Sequence, residues 1–428
     1  MRAQETEKDR ILRIRGNVSA APAFMLCAVT LVMLILDLAV PAMSEYQYQV
    51  YPLLVKCTGL AGLICASLCV KDLINEDRMR FDAGIICFVL FLICAAVSTC
   101  INGFSRDAMM GIEYRYIGIF DICSFFLAYM LCSSNVNSES TRQKVLIAIM
   151  AVSDCIASIF LLDIFMPFVE AFRNKNEPSA VFFHGNHYGY FLVIAVIVSA
   201  CTCISGKGKL RIFGILSFAL NIFALAGNRS MGCLIATGAI LIPGAVVVCI
   251  KDKDNRKGLI GAFVILALLI AVVLKYESLL IEDAILVIKD AAEILTGSGN
   301  SFAGHGRLEL WQLTAEMIKE RPLFGYGCEG ISTVLLESTG VANPHNEVLT
   351  YAAFFGIPAA VLYTAGVLIT LVKGFRSENV ISKVTCCAAA GYFVSSLFGV
   401  AMFYTEPFFY ILLGLSCKTK LTEEQRQN

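Results

Sequence analysis

GHGRLELWQLTAEMIKERPLFGYGCEGISTVLLESTGVANPHNE, residues 304–347, lies in the one long polar gap of an otherwise apolar sequence. From Arg307, the residues Leu308, Leu310, Trp311, Leu313, Met317 and Ile318 recur at the spacing of one helical face, so the segment reads as an amphipathic helix that Pro322 stops. Gly325, Gly327 and Gly330 then permit a tight backbone path around Tyr326. The gap closes on Asn343, Pro344, His345, Asn346 and Glu347, where an apolar run begins. An arginine, an imidazole and a glycine turn are thereby set at the edge of a hydrophobic region.

The chain outside this gap decides the class. Of 428 residues, 57% are hydrophobic and only 16% charged, which points to a polytopic membrane protein and not to a soluble domain. A spanning helix needs about twenty mainly apolar residues, and about twelve such stretches are present. They fall near 19–40, 50–70, 82–101, 111–132, 145–163, 186–205, 210–227, 230–250, 258–275, 346–372, 381–400 and 403–417. The expected fold is an all-α integral membrane protein with about 12 transmembrane helices.

Lysine and arginine favour alternate connections, which fixes the expected orientation. The N-terminal tail, 71–80, 142–144, 207–211, 251–257, 373–383 and the C-terminal tail fall on one side, so both termini are expected in the cytoplasm. The charge-rich start reads as a cytoplasmic tail, 1–18, and not as a cleaved signal peptide. A bundle of about nine helices covers 19–275, an extracytoplasmic loop 276–345, C-terminal helices 346–417 and a second cytoplasmic tail 418–428. Within that loop, 279–295 reads as an amphipathic helix and 296–306 as a polar link. The net charge of zero comes with no basic face, which excludes nucleic acid as a partner. Most of the 18 cysteines sit inside apolar runs as small hydrophobes, and neither a zinc spacing nor a structural disulfide is expected.

Several polar residues crowd the expected outer face. Arg229, in LAGNRSMGCL, interrupts a long apolar stretch. It can snorkel to headgroups, or it can hold an anion such as phosphate together with free backbone donors of its short turn. Arg307 is either an ordinary surface arginine or a phosphate ligand whose charge is reinforced by the helix N-terminus beside it. His345, with an ordinary pKa of about 6.5, can cap its helix or act as a base that nearby cations keep neutral. Asn346 adjoins it, and Glu347 can orient it or complement the helix dipole.

In FFHGNHYGYF, His184 and His187 lack the companions of a metal site, so no metal is expected; Asn186, His187 and Tyr188 can instead line a sugar or phosphate path. Arg106, Glu113 and Arg115 are further candidates around the second outer turn, and Tyr326 is one at the glycine turn. Arg173 and Lys175 read as solvated loop charges, and Glu406 as an acceptor contact or a water-facing acid.

Arg307, Trp311, Pro322, the Gly-Tyr-Gly of 325–327 and PHNEVLTYAAFFGIPA of 344–359 together resemble the signature of the O-antigen ligase and O-antigen polymerase superfamily. GNRSMG around Arg229 is similar to that family's arginine-bearing turn upstream of its large outer loop. GNHYGYFL, 185–192, resembles its entry to a middle helix, with His187 and Tyr188 in place of the usual Pro-Asn.

The resemblance implies a GT-C-type glycosyltransferase whose large outer loop contains amphipathic helices, in the cell inner or plasma membrane. It also implies an undecaprenyl-diphosphate-linked glycan as donor and a glycan or glycolipid as acceptor. By that resemblance Arg229 and Arg307 hold the diphosphate and His345 activates the acceptor hydroxyl without a metal or other cofactor. A polytopic transporter or flippase of a polysaccharide precursor is the competing class. Transporters place charged and helix-breaking residues at mid-membrane, whereas the polar residues here gather at one face.

Overall fold

The computed structural model describes residues 14, 16–40, 43–74, 82–113, 115–136, 138–169, 172, 178–182, 184–251, 255–276, 281, 282, 285, 289, 307–400 and 402–417. Most of the expected amphipathic helix at 279–295, the polar link at 296–306, Arg173 and Lys175 lie outside the described residues. Among the described residues the regular structure is entirely helical.

Helices α1 (Ala21–Ala39), α2 (Met43–Ile74), α3 (Ala83–Asn102), α4 (Arg106–Met110), α5 (Ile119–Asn135) and α6 (Glu139–Phe165) make the first half. A 3-10 turn, Ala180–Phe182, leads into α7 (Gly185–Ser205), followed by α8 (Lys209–Asn228), α9 (Met231–Lys251) and α10 (Arg256–Tyr276). After the polar gap come α11 (Arg307–Glu320), α12 (Ser332–Thr339), α13 (Glu347–Phe355), α14 (Ile357–Arg376), α15 (Val380–Ser396) and α16 (Glu406–Ser416).

Seven of these, α1, α3, α6, α7, α8, α9 and α14, are long and apolar enough to cross a membrane. Every residue of α16 is buried, and 83% of the apolar window of α7 is buried against 17% in α9. The bundle therefore has α7 and α16 as inner helices, while α9 presents its apolar side outward. In water such an exposed apolar face would be unfavourable at about 25 cal/mol per Å².

Two expected spans are broken, each by a contact from another part of the chain. The stretch 346–372 divides at Gly356, whose φ of 91° suits glycine and whose hypothetical Cβ would lie 2.2 Å from the carbonyl oxygen of Leu323. The chain at the glycine turn packs there: the N–H groups of Tyr326 and Gly327 donate to the carbonyls of Ala353 and Phe354 at 2.9 and 2.8 Å, and Ile357 N–H donates to Pro322 at 2.8 Å. The last carbonyls of α13 are thus met by a loop and not by continued helix.

The stretch 111–132 starts its helix later, at Ile119. The Asp121 carboxylate accepts the Gly118 N–H at 2.9 Å and pairs with Lys56 at 2.9 Å, which anchors the helix start. Residues 111–113 and 115–118 are not helical, and Arg115 among them is buried.

Arg142 also departs from the reading of a loop charge. It is 4% exposed and donates to the Val136 carbonyl at 2.7 Å, the Ser382 hydroxyl at 3.0 Å and the Cys417 carbonyl at 2.8 Å, tying the ends of α5, α15 and α16 together. Every cysteine whose side chain is described is a free thiol; Cys328 is buried.

Candidate functional site

The site grows from the start of α7. His184 caps that helix, its Nδ1 accepting the Asn186 N–H at 3.1 Å, which leaves the ring's proton on Nε2. One turn on, Gly189 has no room for a side chain: a Cβ would lie 2.7 Å from Cys233 Sγ and 2.9 Å from Asn228 Oδ1. That close approach seats the α8–α9 turn on the first turn of α7. Asn228 fastens it by donating to the carbonyls of Pro178 at 2.7 Å and Gly185 at 2.8 Å, and Ser230 Oγ donates to Asn186 Oδ1 at 3.0 Å.

Between those two anchors stands Arg229, half-buried, with φ of 61°. A left-handed conformation disfavours a non-glycine residue, and it persists here because the residues on either side are pinned.

The second wall comes from the polar gap. Trp311 Nε1 donates to the Pro344 carbonyl at 2.9 Å, which joins α11 to the segment before α13. Arg307 sits one turn earlier, on the same face of α11 as Trp311. His345 also takes a left-handed φ, of 55°, with its N–H donating to Asn343 Oδ1 at 2.9 Å. Asn346 caps α13 by accepting the Leu349 N–H at 3.0 Å and donates to the Leu397 carbonyl at 3.0 Å.

The two walls meet. His345 is held to a pKa of about 4, first by burial and then by the charge of Arg307, with His184 adding a smaller push. His187 lies 5.1 Å from His184 and 6.3 Å from Tyr404, ring centre to ring centre. His184, Asn186, His187, Arg229, Arg307, His345 and Asn346 are all half-buried, neither sealed nor free in solvent. Neutral imidazole beside fixed guanidinium can accept a proton while the cation holds an anion.

Other expected residues stand apart from this group. Arg115 is 5% exposed, pairs with Glu329 at 2.5 Å and lies over the Phe354 ring at 5.1 Å, so its guanidinium is committed inside the protein. Glu347 is 1% exposed; its Oε1 accepts the Tyr363 hydroxyl at 2.6 Å, and its side chain enters the bundle instead of orienting His345. Tyr326 donates to Glu320 at 2.6 Å and stacks under Arg321 at 4.5 Å, a contact at the end of α11. Glu406 is fully buried and faces no water. Arg106 and Glu113 are exposed in the α3–α5 connection.

Among the described residues no group of three or more His, Cys, Asp or Glu side chains is arranged to hold a metal ion. Sequence reasoning passed over His184, weighed only as half of a metal pair. Its signal was position, immediately before the glycine that opens a helix, where a capping side chain is wanted.

Residues 216–364 match the family model described as O-Antigen ligase, and that match supports the O-antigen ligase and polymerase superfamily. The matched span contains Arg229, Arg307, Tyr326, His345, Asn346 and Glu347, and leaves Arg115, Asn186 and His187 outside it. No curated protein matches the chain.

Proposed function

We propose that the chain is a membrane glycosyltransferase that moves a glycan from an undecaprenyl-diphosphate carrier to a sugar hydroxyl on a glycan or glycolipid acceptor. What supports this reading is that Arg307 and His345, distant in sequence, lie within electrostatic reach of each other and of His184. Arg229 and Arg307 hold the diphosphate, each through charge-assisted hydrogen bonds worth about 1.5–3 kcal/mol. The acceptor oxygen bonds to the anomeric carbon, the carbon–oxygen bond to the diphosphate breaks with its electron pair, and the acceptor's proton passes to His345.

The base strengthens when it is needed. With a pKa of about 4 in the free protein, His345 is neutral but weakly basic. A bound diphosphate offsets the charge of Arg307, one of the causes of that depression, and so raises the proton affinity of the imidazole. Asn186, His187 and Asn346 line the sugar path, while the polyprenyl tail stays in hydrocarbon.

This reading retains twelve spans of GT-C type, both termini in the cytoplasm, the site on the extracytoplasmic face of the inner or plasma membrane, and the division at residues 18, 275, 345 and 417. The polar groups that meet lie at the ends of helices and not at mid-span, which favours an enzyme over a transporter. Purified protein supplied with lipid-diphosphate-linked glycan, with and without a candidate acceptor, tests it: acceptor-dependent release of lipid diphosphate marks a ligase, and growth of the glycan without added acceptor marks a polymerase. No release in either arm sinks the reading.

A further inference from the structure

A second polar cluster lies inside the bundle, and glycan transfer has no use for it. Glu347 at the start of α13 and Glu406 at the start of α16 are 1% and 0% exposed. One oxygen of each is satisfied: Tyr363 donates to Glu347 at 2.6 Å, and Tyr351 to Glu406 at 3.1 Å. The second oxygen of each has no hydrogen-bond partner, and each is an acceptor only while ionised. Two further side chains supply an independent sign. The Tyr392 hydroxyl from α15 and the Thr405 hydroxyl just before α16 are 1% and 0% exposed and have no hydrogen-bond partner beyond each other. Tyr392 lies beside Thr405 and within electrostatic reach of both glutamates.

The charges do not balance. Arg115, in the loop before α5, reaches both carboxyl groups, but it is already paired with Glu329. Asp121 of α5 adds a negative charge on the Glu406 side and is itself bound to Lys56. The remaining titratable neighbours are hydroxyls: Tyr351 on α13, Tyr363 on α14, Tyr392 on α15 and Tyr410 on α16. Two unshared negative charges sealed inside the packed protein are too costly to stand without a cation to offset part of them, and unsatisfied oxygens are where it would sit.

We infer that Glu347 and Glu406 jointly hold one monovalent cation, a proton or Na+, between the outer ends of α13 and α16. As a proton it bonds to one carboxyl and is donated to an unpartnered oxygen nearby. As Na+ it takes those oxygens as ligands. Either way the folded chain binds a cation that the unfolded chain does not, so withdrawing it lowers stability.

The test is thermal unfolding of the full chain in lipid nanodiscs between pH 7 and 9, above the range in which His345 titrates. In choline chloride the wild-type Tm is expected to fall by several degrees across that range. Adding NaCl at pH 9 restores it if Na+ occupies the site and leaves it low if only a proton does. Glu406→Gln, whose amide supplies donors in place of the cation, is expected to give a Tm that responds to neither; Glu347→Gln serves in the same way should the first variant fail to fold. A wild-type Tm indifferent to both pH and Na+, or glutamine variants that respond as strongly as wild type, would overturn the inference. Because the readout is stability, the result stands or falls separately from glycan transfer.

Discussion

Two polar regions face each other across the start of α13, and they are built on opposite principles. On one side His184, Asn186, His187, Arg229, Arg307 and His345 are half-buried, carried on helix ends and on two residues with left-handed backbone. On the other, Glu347, Glu406, Tyr351, Tyr363 and Tyr392 are sealed inside the bundle, with tyrosine hydroxyls as their principal donors. The chain passes from one to the other in two residues, His345 to Glu347. Reacting groups must stay open to a ligand and keep hydrogen-bonding capacity unspent, whereas interior acids must be neutralised where they lie. Burial, and not charge alone, separates what each region can do.

The comparison breaks first at His345. Replacing it with alanine is expected to lower acceptor-dependent transfer by roughly 100- to 10,000-fold, the range of a lost general base, while the protein still enters the membrane. Wild-type rates from that variant would move His345 to a capping role.

Arg229 and Arg307 come next. Each alanine variant should lose roughly 10- to 150-fold, as befits one charge-assisted bond to the diphosphate. Arg229→Gly sharpens the point, since glycine relieves the left-handed strain and removes the cation. It should unfold no earlier than wild type and still fail in transfer; retained transfer would show that the turn, and not the charge, matters.

Arg115 belongs to the sealed side, so its loss should be read in stability. Arg115→Ala leaves Glu329 buried and unpaired, at a cost of about 3–5 kcal/mol in unfolding measurements, and the added Glu329→Ala change should recover part of it. A folded Arg115→Ala protein with unchanged stability and lost transfer would return this arginine to the site.

The pH dependence gives a smaller effect. At donor concentrations well below saturation, where the rate reports the free enzyme, transfer should hold down to about pH 5 and fall below it as His345 takes a proton at its pKa of about 4. In Arg307→Ala the residual activity should fail at a higher pH, because one cause of the depression is gone. For stability the sign is the same: the unfolded imidazole protonates near 6.5 and the folded one near 4, so stability falls as pH drops through that window. An acid limb that does not move in Arg307→Ala would separate the two residues.

The smallest change is Trp311→Phe, which removes one hydrogen bond to Pro344 and should cost about 1 kcal/mol of stability, with a modest loss of transfer.

Legibility in sequence followed the range of the interactions involved. Helix α11 is readable from its apolar spacing and from Pro322, because periodicity and a missing N–H act within a few residues. The start of α5 is not legible in the sequence because its anchor, Lys56 on Asp121, comes from another helix. The break at Gly356 was hidden in an apolar run, since the carbonyls it frees are met by Tyr326 and Gly327 from far upstream. At the site, Arg229, Arg307 and His345 stood out as charges at apolar borders. His184 did not, and Arg115 looked as promising as they did until Glu329 was found beside it.

From the amino acids alone came the membrane class, the approximate positions of the seven helices apolar enough to span and the three residues at the borders of apolar runs, because hydropathy and helical period are summed over neighbouring positions. Tertiary structure alone decided which polar groups stay open and which are closed off. Burial depends on what other helices bring, and two glutamates or two arginines of like composition part company only when the bundle has packed around one of them.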